Sequence, residues 1–293
     1  MTALAQQIVS GLAAGGIYAS LALALVLIYS AMGLVNFAQG EFAMFSTFIA
    51  WALIVALHLP YALAFVGAVL FGFGAGIVLE RAVVRPFEKS SPLILVIVTL
   101  ALFSIANGLA GAIWGYVPKP FPSPFPVTPI SLGGVLVSLQ DMAVIGITLV
   151  VLGLISLFLT RTRLGLALRA AALYPESASL MGVRVGWMLA LGWGLASAVG
   201  AVSGILVAPI IFLEPNMMQG TIIYAFAAAV LGGIDSPLGA VVGGLSLGVA
   251  LNLIGAYIPQ LADVRLGVAL LLLVLVLVLR PAGLLGRPEV SRV

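Results

Sequence analysis

Apolar residues fill long runs of this chain, and polar residues gather in short breaks between them. Runs close to the roughly 20 residues that a helix needs to cross a bilayer core fall at 8–30, 42–58, 61–79, 93–113, 142–160, 187–208, 220–233, 237–258 and 264–280. The run at 220–233 is short, and the junctions at 31–41 and 232–237 are irregular. The pattern predicts an all-α polytopic integral membrane protein with about nine transmembrane helices (8–10), some of them discontinuous. They would form a single transmembrane domain over 1–293.

Basic residues orient these spans. Arg81, Arg85 and Lys89 follow the third run, Arg161, Arg163, Arg169 and Arg184 lie between the fifth and sixth, and Arg280, Arg287 and Arg292 follow the last. All three groups land on one side, which the positive-inside bias makes cytoplasmic. The C-terminus is then cytoplasmic and, with nine crossings, the N-terminus external. No charge precedes Glu41, so the bias says nothing directly about the N-terminus. The segment 114–141 falls outside and holds Pro118, Pro120, Pro122, Pro124 and Pro126, which exclude a helix there. Its end, from Ile130 to Leu139, reads equally as a hairpin or a half-helix.

Composition agrees with this reading. The chain is 63% hydrophobic and 7% charged, more apolar surface than a soluble core hides. Its net charge of +3 sits in loops and at the C-terminus, without the basic stripe of a nucleic-acid binder. There is no cysteine, which excludes disulfides and thiolate metal sites. Met1 to Gln7 lacks the positive region of a cleavable signal, so the first run is expected to stay in the mature protein. The glycines, 34 in number, include Gly232, Gly233, Gly239, Gly243 and Gly244, placed to let helix backbones approach closely.

Three places carry candidate chemistry. The first is Gly33 to Phe42, where Asn36, Gln39 and Glu41 follow one another in a run otherwise at membrane depth. Such groups are costly there and face a cavity or a partner; the alternative is a short surface loop. The Glu41 carboxylate is expected to accept hydrogen bonds from backbone N–H groups near Gly40 and to serve structure or gating. The second is Leu231 to Gly239, with Gly232, Gly233 and Asp235. Asp235 reads either as a helix cap in a tight turn or as part of a pathway. One break in each half fits transporters built from discontinuous helices.

The third is the polar loop 161–186. Pro175 suits the first position of a helix, Glu176 favours its N-terminal dipole, and Gly182 suits the left-handed residue that ends it. A short helix of about two turns is thereby displayed among arginines, unless the segment is an ordinary capped loop. Elsewhere Thr99, Ser104, Asn107, Ser197, Ser203 and Asn252 read as helix-to-helix contacts. Glu214, Asn216 and Gln219 read as solvated external loop, with docking of an extracytoplasmic binding protein as the alternative, and His58 reads as an interfacial turn residue.

Several activities are excluded. Neither Lys89 nor Lys119 follows a glycine, so there is no phosphate-binding loop. A single histidine supports neither a metal site nor a Ser/His protease. No enzyme activity and no cofactor are expected.

Two of these segments resemble one family. Asn36-Phe37-Ala38-Gln39-Gly40-Glu41 is similar to the Asn-Phe-Ala-His-Gly-Glu signature of branched-chain amino acid permeases of ABC transporters, with Gln39 where many members have His. Gly165, Ala167, Arg169, Ala170, Ala172, Pro175, Glu176, Ala178, Leu180 and Gly182 resemble the family's cytoplasmic loop that docks on the ATPase. Leu173 and Tyr174 depart from the acidic residues often found there. Leu231-Gly232-Gly233-Ile234 and the ending from Arg280 to Glu289 also match, in the family's order.

The resemblance implies a permease subunit of an ABC importer in a bacterial or archaeal cytoplasmic (inner) membrane. It implies a heterodimer with a homologous second permease, two ATPase subunits, and a periplasmic binding protein delivering leucine, isoleucine, valine or a similar hydrophobic amino acid. ATP hydrolysis would lie in the separate subunits. Relatives also carry urea and short amides. The competing class is an ion-coupled secondary transporter or channel, for which Glu41 and Asp235 are the candidate buried carboxylates.

Overall fold

The computed structural model describes residues 2–88, 90–125, 128–132 and 135–286. Lys89, Arg287 and Arg292, which entered the charge argument, and Pro126, Gly133 and Gly134 of the proline-rich segment lie outside the described residues. The fold is all-α and polytopic. Its elements are α1 (Thr2–Met32), α2 (Gln39–Val55), α3 (Tyr61–Leu79), α4 (Pro92–Trp114), β1 (Ile130–Leu132), β2 (Val135–Val137), α5 (Leu139–Arg161), α6 (Arg163–Leu173), α7 (Pro175–Leu180), α8 (Val185–Ile211), α9 (Met217–Gly232), α10 (Pro237–Tyr257) and α11 (Arg265–Leu279).

Among the described residues six helices are long and apolar enough to span a bilayer, and α2, α9 and α11 are shorter apolar helices. They correspond to the apolar runs of the sequence. α1 is longer than its run because Gln6 and Gln7 continue the helix, held at their side chains by distant partners.

The chain divides into two compact units. The first comprises residues 1–26, 123–152 and 221–293. Here glycines set the packing. Gly11 and Gly15 of α1 meet Gly244 and Gly248 of α10, and a Cβ on Gly15 would stand 2.8 Å from the Gly244 carbonyl oxygen. Small residues four apart on both helices let the backbones touch, which is how helices associate where lipid offers no hydrophobic drive. The ambiguous stretch after the prolines is a hairpin, with Ile130 opposite Val137. The Gln6 side chain closes its free edge, donating to the Leu136 carbonyl at 2.8 Å and accepting from the Leu136 N–H at 2.7 Å.

The second unit comprises residues 27–122 and 153–220. Its centre is α8, against which α2 and α3 pack through Gly72, Gly76, Gly200 and Gly204. Most of α8 is buried, whereas α3 and α4 keep broad apolar faces outward, as lipid-facing helices do. Arg81 and Arg85, following α3, lie beside Gly186 and Trp187 at the start of α8, so two of the basic groups share one end of this unit. At the opposite end Lys119 and Leu213 pair backbone to backbone.

Gly248→Val would drive a branched side chain into the α1 backbone. A loss of about 1–3 kcal/mol is expected for such overpacking, read as a lower unfolding temperature of the detergent-solubilised protein. Val249→Ala, on the same helix, is expected to change it far less.

Candidate functional site

The second unit holds two candidate regions, and the first unit holds a third. The loop 161–186 is built from local rules. Thr162 caps α6, its hydroxyl accepting from the Gly165 N–H at 2.9 Å and donating to the Phe158 carbonyl at 2.7 Å. Gly165 is required because the Phe158 carbonyl occupies the space a Cβ would need. Leu168 and Ala171 turn inward and pack with Met188 at the start of α8. α7 then begins with Pro175 at its first position and ends at Gly182, whose φ is 83°. Gly182 N–H bonds to the Ser179 carbonyl and Val183 N–H to the Ala178 carbonyl, both at 3.0 Å, so the terminal carbonyls are satisfied by a Schellman motif. The helix is six residues, shorter than the two turns expected.

Of the residues singled out here, Gly165 and Ala178 are buried and Ala170 and Ala172 half-buried, while Arg169, Pro175, Glu176, Leu180 and Gly182 lie at the surface. Leu180 and Met181 are 88% and 85% exposed, with Leu173 and Tyr174 beside them in sequence and also exposed. This set of apolar side chains stands among arginines, where solvent alone would favour polar residues. Exposed apolar side chains gathered in a patch mark protein or membrane interaction sites. At 173 and 174 the surface carries Leu173 and Tyr174 and no acidic residue.

The break between α1 and α2 is buried rather than a surface loop. Asn36, Gln39 and Glu41 are at most 1% exposed. Gly33, at φ 63°, turns the chain out of α1, and Asn36 Oδ1 accepts from the Ala38 N–H at 3.0 Å to form the turn that starts α2. Asn36 Nδ2 donates to Gln39 Oε1 at 3.3 Å, and Gln39 Nε2 donates to the Ala196 carbonyl at 2.9 Å, near the middle of α8. Gly200 leaves room for that amide, since its Cβ would stand 2.6 Å from Gln39 Nε2. Gly40 is buried beside them.

Glu41 differs from expectation. Among the described residues its carboxylate accepts from the Asn107 side chain, Nδ2 to Oε2 at 3.3 Å, rather than from backbone near Gly40. The same Asn107 amide donates to the Pro215 carbonyl at 3.0 Å and to Asn216 Oδ1 at 3.1 Å. Asn107 therefore ties α2, α4 and the loop before α9, a convergence that no local sequence pattern signals. Beside the break an apolar cavity of about 270 Å³ is lined by Phe42, Phe45, Phe71, Leu102 and Ile105, with Ser46 and Ser197 as its hydroxyls.

In the first unit Gly232 and Gly233 are buried at the end of α9, with Gly233 at φ 115°. The helix cap is Ser236, not Asp235: its hydroxyl accepts from the Gly239 N–H at 3.0 Å, and Pro237 occupies the first helical position. Asp235 is exposed in the turn, close to Gly286. The segment after α11 straps this turn, Leu284 and Leu285 donating to the Leu231 and Gly232 carbonyls at 2.8 Å. The sequence breaks are thus both real, and their acids sit differently, Glu41 buried and Asp235 exposed.

Gln39→Glu keeps the shape but replaces the donor facing the Ala196 carbonyl with an acceptor. A buried unmade hydrogen bond costs about 1–3 kcal/mol, so this variant is expected to unfold at lower temperature in detergent. Gln39→Ala, which removes both partners' claims on the space, is expected to be recovered in lower amount from the membrane.

The family model described as "Branched-chain amino acid transport system / permease component" matches residues 7–279. The chain is 34% identical over 98% of its length to the high-affinity branched-chain amino acid transport system permease protein BraD of Pseudomonas aeruginosa, covering 97% of that protein. It is 34% identical to LivH of Salmonella typhimurium, of the same description, covering 98% of this chain and 97% of that one. It is 28% identical to the probable branched-chain amino acid transport permease protein LivH of Methanocaldococcus jannaschii, covering 91% and 87%. A match of this length and identity, over a polytopic fold, shows that the chain belongs to the branched-chain amino acid transport system permease family.

Proposed function

We propose that this chain is one membrane subunit of an ABC importer that carries branched-chain or other hydrophobic amino acids across a bacterial or archaeal cytoplasmic membrane. The observation that carries the mechanism is α7: a short helix begun by Pro175 and ended by Gly182, presenting Leu180 and Met181 to solvent at the basic end. In the proposed reading that end is cytoplasmic, following the excess of arginine there. One of two ATPase subunits docks on α7, and a binding protein delivers the amino acid at the opposite face. Family membership favours this over an ion-coupled carrier.

The push travels through contacts already described. α7 leads into α8 through four residues, and α6 rests on α8 through Leu168, Ala171 and Met188. α8 in turn holds the buried break at Ala196. Closure of the ATPases would therefore move α8 and with it the start of α2. The chain supplies shape and packing, and the chemistry of hydrolysis stays in the ATPases. A homologous second permease completes the pathway, making the working membrane unit a heterodimer.

Glu176→Arg combined with Gly182→Val is expected to abolish ATPase co-purification while the permease stays in the membrane. Forcing a β-branched residue into the left-handed conformation alone costs about 1–2 kcal/mol. Normal co-purification and transport in that double variant would reject the dock. For the heterodimer, the mass of the detergent-solubilised complex is the readout. The chain expressed alone with its ATPases is expected to give no transport-competent complex; two copies transporting at full rate would overturn the pairing.

A further inference from the structure

Arg81 and Arg85 enter the sequence reading only as topology charges, but their side chains are committed to specific partners. After Leu79, α3 widens into one π-helical turn, Glu80–Val84, and tightens again over Arg85–Phe87. The extra residue in that turn rotates Glu80 inward, where it is fully buried. Arg85 neutralises it in a two-pronged contact, Nε to Oε1 at 3.2 Å and Nη2 to Oε2 at 2.8 Å. The same Nη2 donates to the Gly186 carbonyl at the start of α8. Gly186 is suited to this, since a Cβ there would stand 3.2 Å from the Arg85 guanidinium carbon.

One turn earlier the Arg81 guanidinium lies over the Trp187 ring, 3.5 Å from its centroid. Its Nε has no hydrogen-bond partner among the described residues, and the guanidinium rests on the Trp187 ring. Two neighbouring residues of α8 are thus gripped by two arginines from one irregular turn of α3. Both lie in the first turn of α8, six and seven residues after the end of α7.

We propose that this clamp, Glu80–Arg85 on Gly186 and Arg81 on Trp187, is the transmission that carries movement of α7 into α3. A simple surface ion pair would not need a buried carboxylate, and charge bias alone would not need the guanidinium groups oriented on α8. A π turn is a place where a helix can gain or lose register, and such turns recur at functional sites. Here the turn is held to the start of α8, so α3 moves with α8 instead of sliding past it. These are positioning residues, and they touch neither solute nor nucleotide.

The inference rests on α7 being the ATPase dock, and the test separates the two. The assembled importer, with its ATPases, partner permease and binding protein, is reconstituted, and solute moved per ATP hydrolysed is measured beside ATPase co-purification. The paired variant Glu80→Gln/Arg85→Gln removes both charges together, so no buried charge is left alone. It is expected to co-purify with the ATPases and hydrolyse ATP, yet to move about three- to tenfold less solute per ATP, the size of effect typical of residues along a coupling path. Trp187→Leu, at a partly exposed position, is expected to lower the ratio in the same direction, and Trp187→Phe to restore most of it. An unchanged ratio in the paired variant overturns the clamp; where that variant is not recovered from the membrane, Trp187→Leu decides by the same criterion. Failure of the dock itself would show instead as normal co-purification in the α7 double variant.

Discussion

Hydrocarbon offers no water to an open peptide group, so a chain that breaks its helix inside a membrane must close the break with its own side chains. This protein breaks between α1 and α2 beside the middle of α8, and the closure is made by amides. Asn36 turns the backbone, and Gln39 links that turn to the Ala196 carbonyl. Both amide ends of Gln39 are used, which explains why a neutral side chain works at this position. Much of the second unit follows from it. Gly200 must be a glycine to admit the amide, Gly204 must be one to admit Thr47 and Ala43, and α2 starts where the amide holds it.

α8 is the element on which the parts of this unit converge. At its start lie the inward face of α6 and the arginines that follow α3; at its middle lies the break. It is also among the most buried of the spanning helices. A buried helix packed on several sides moves as a body, because close-packed interiors shift between discrete arrangements and do not deform smoothly. A short helix displayed at one end of such an element can therefore influence a polar site half its length away without any chemistry of its own. That is a sufficient physical basis for the mechanical role proposed for this chain.

How much of this was legible in the residues depends on range. The apolar runs located the spanning helices closely, since membrane length and composition act locally. The ends of α7 were legible for the same reason: Pro175 and Gly182 each act within one turn. At Asp235 the same reasoning missed by one residue, because Ser236 directly precedes Pro237 and takes the cap. The partners of Glu41 and Arg85 were hidden, because Asn107 and Gly186 stand 66 and 101 residues away from them. Gln6 closing the edge of the hairpin at Leu136, 130 residues on, is another such case. The arginines after α3 were read through their charge, which sets orientation, while their geometry belongs to a tertiary contact.

The account stands on movement being driven by ATP through partner subunits. The most direct measurement is amino-acid uptake into proteoliposomes holding this permease with its second permease and ATPases, binding protein supplied outside, with and without enclosed ATP, and with the proton gradient collapsed. Uptake that requires ATP and the ATPases and ignores the collapsed gradient is the expected result. Uptake by this chain without ATPases, abolished when the gradient collapses, would contradict it.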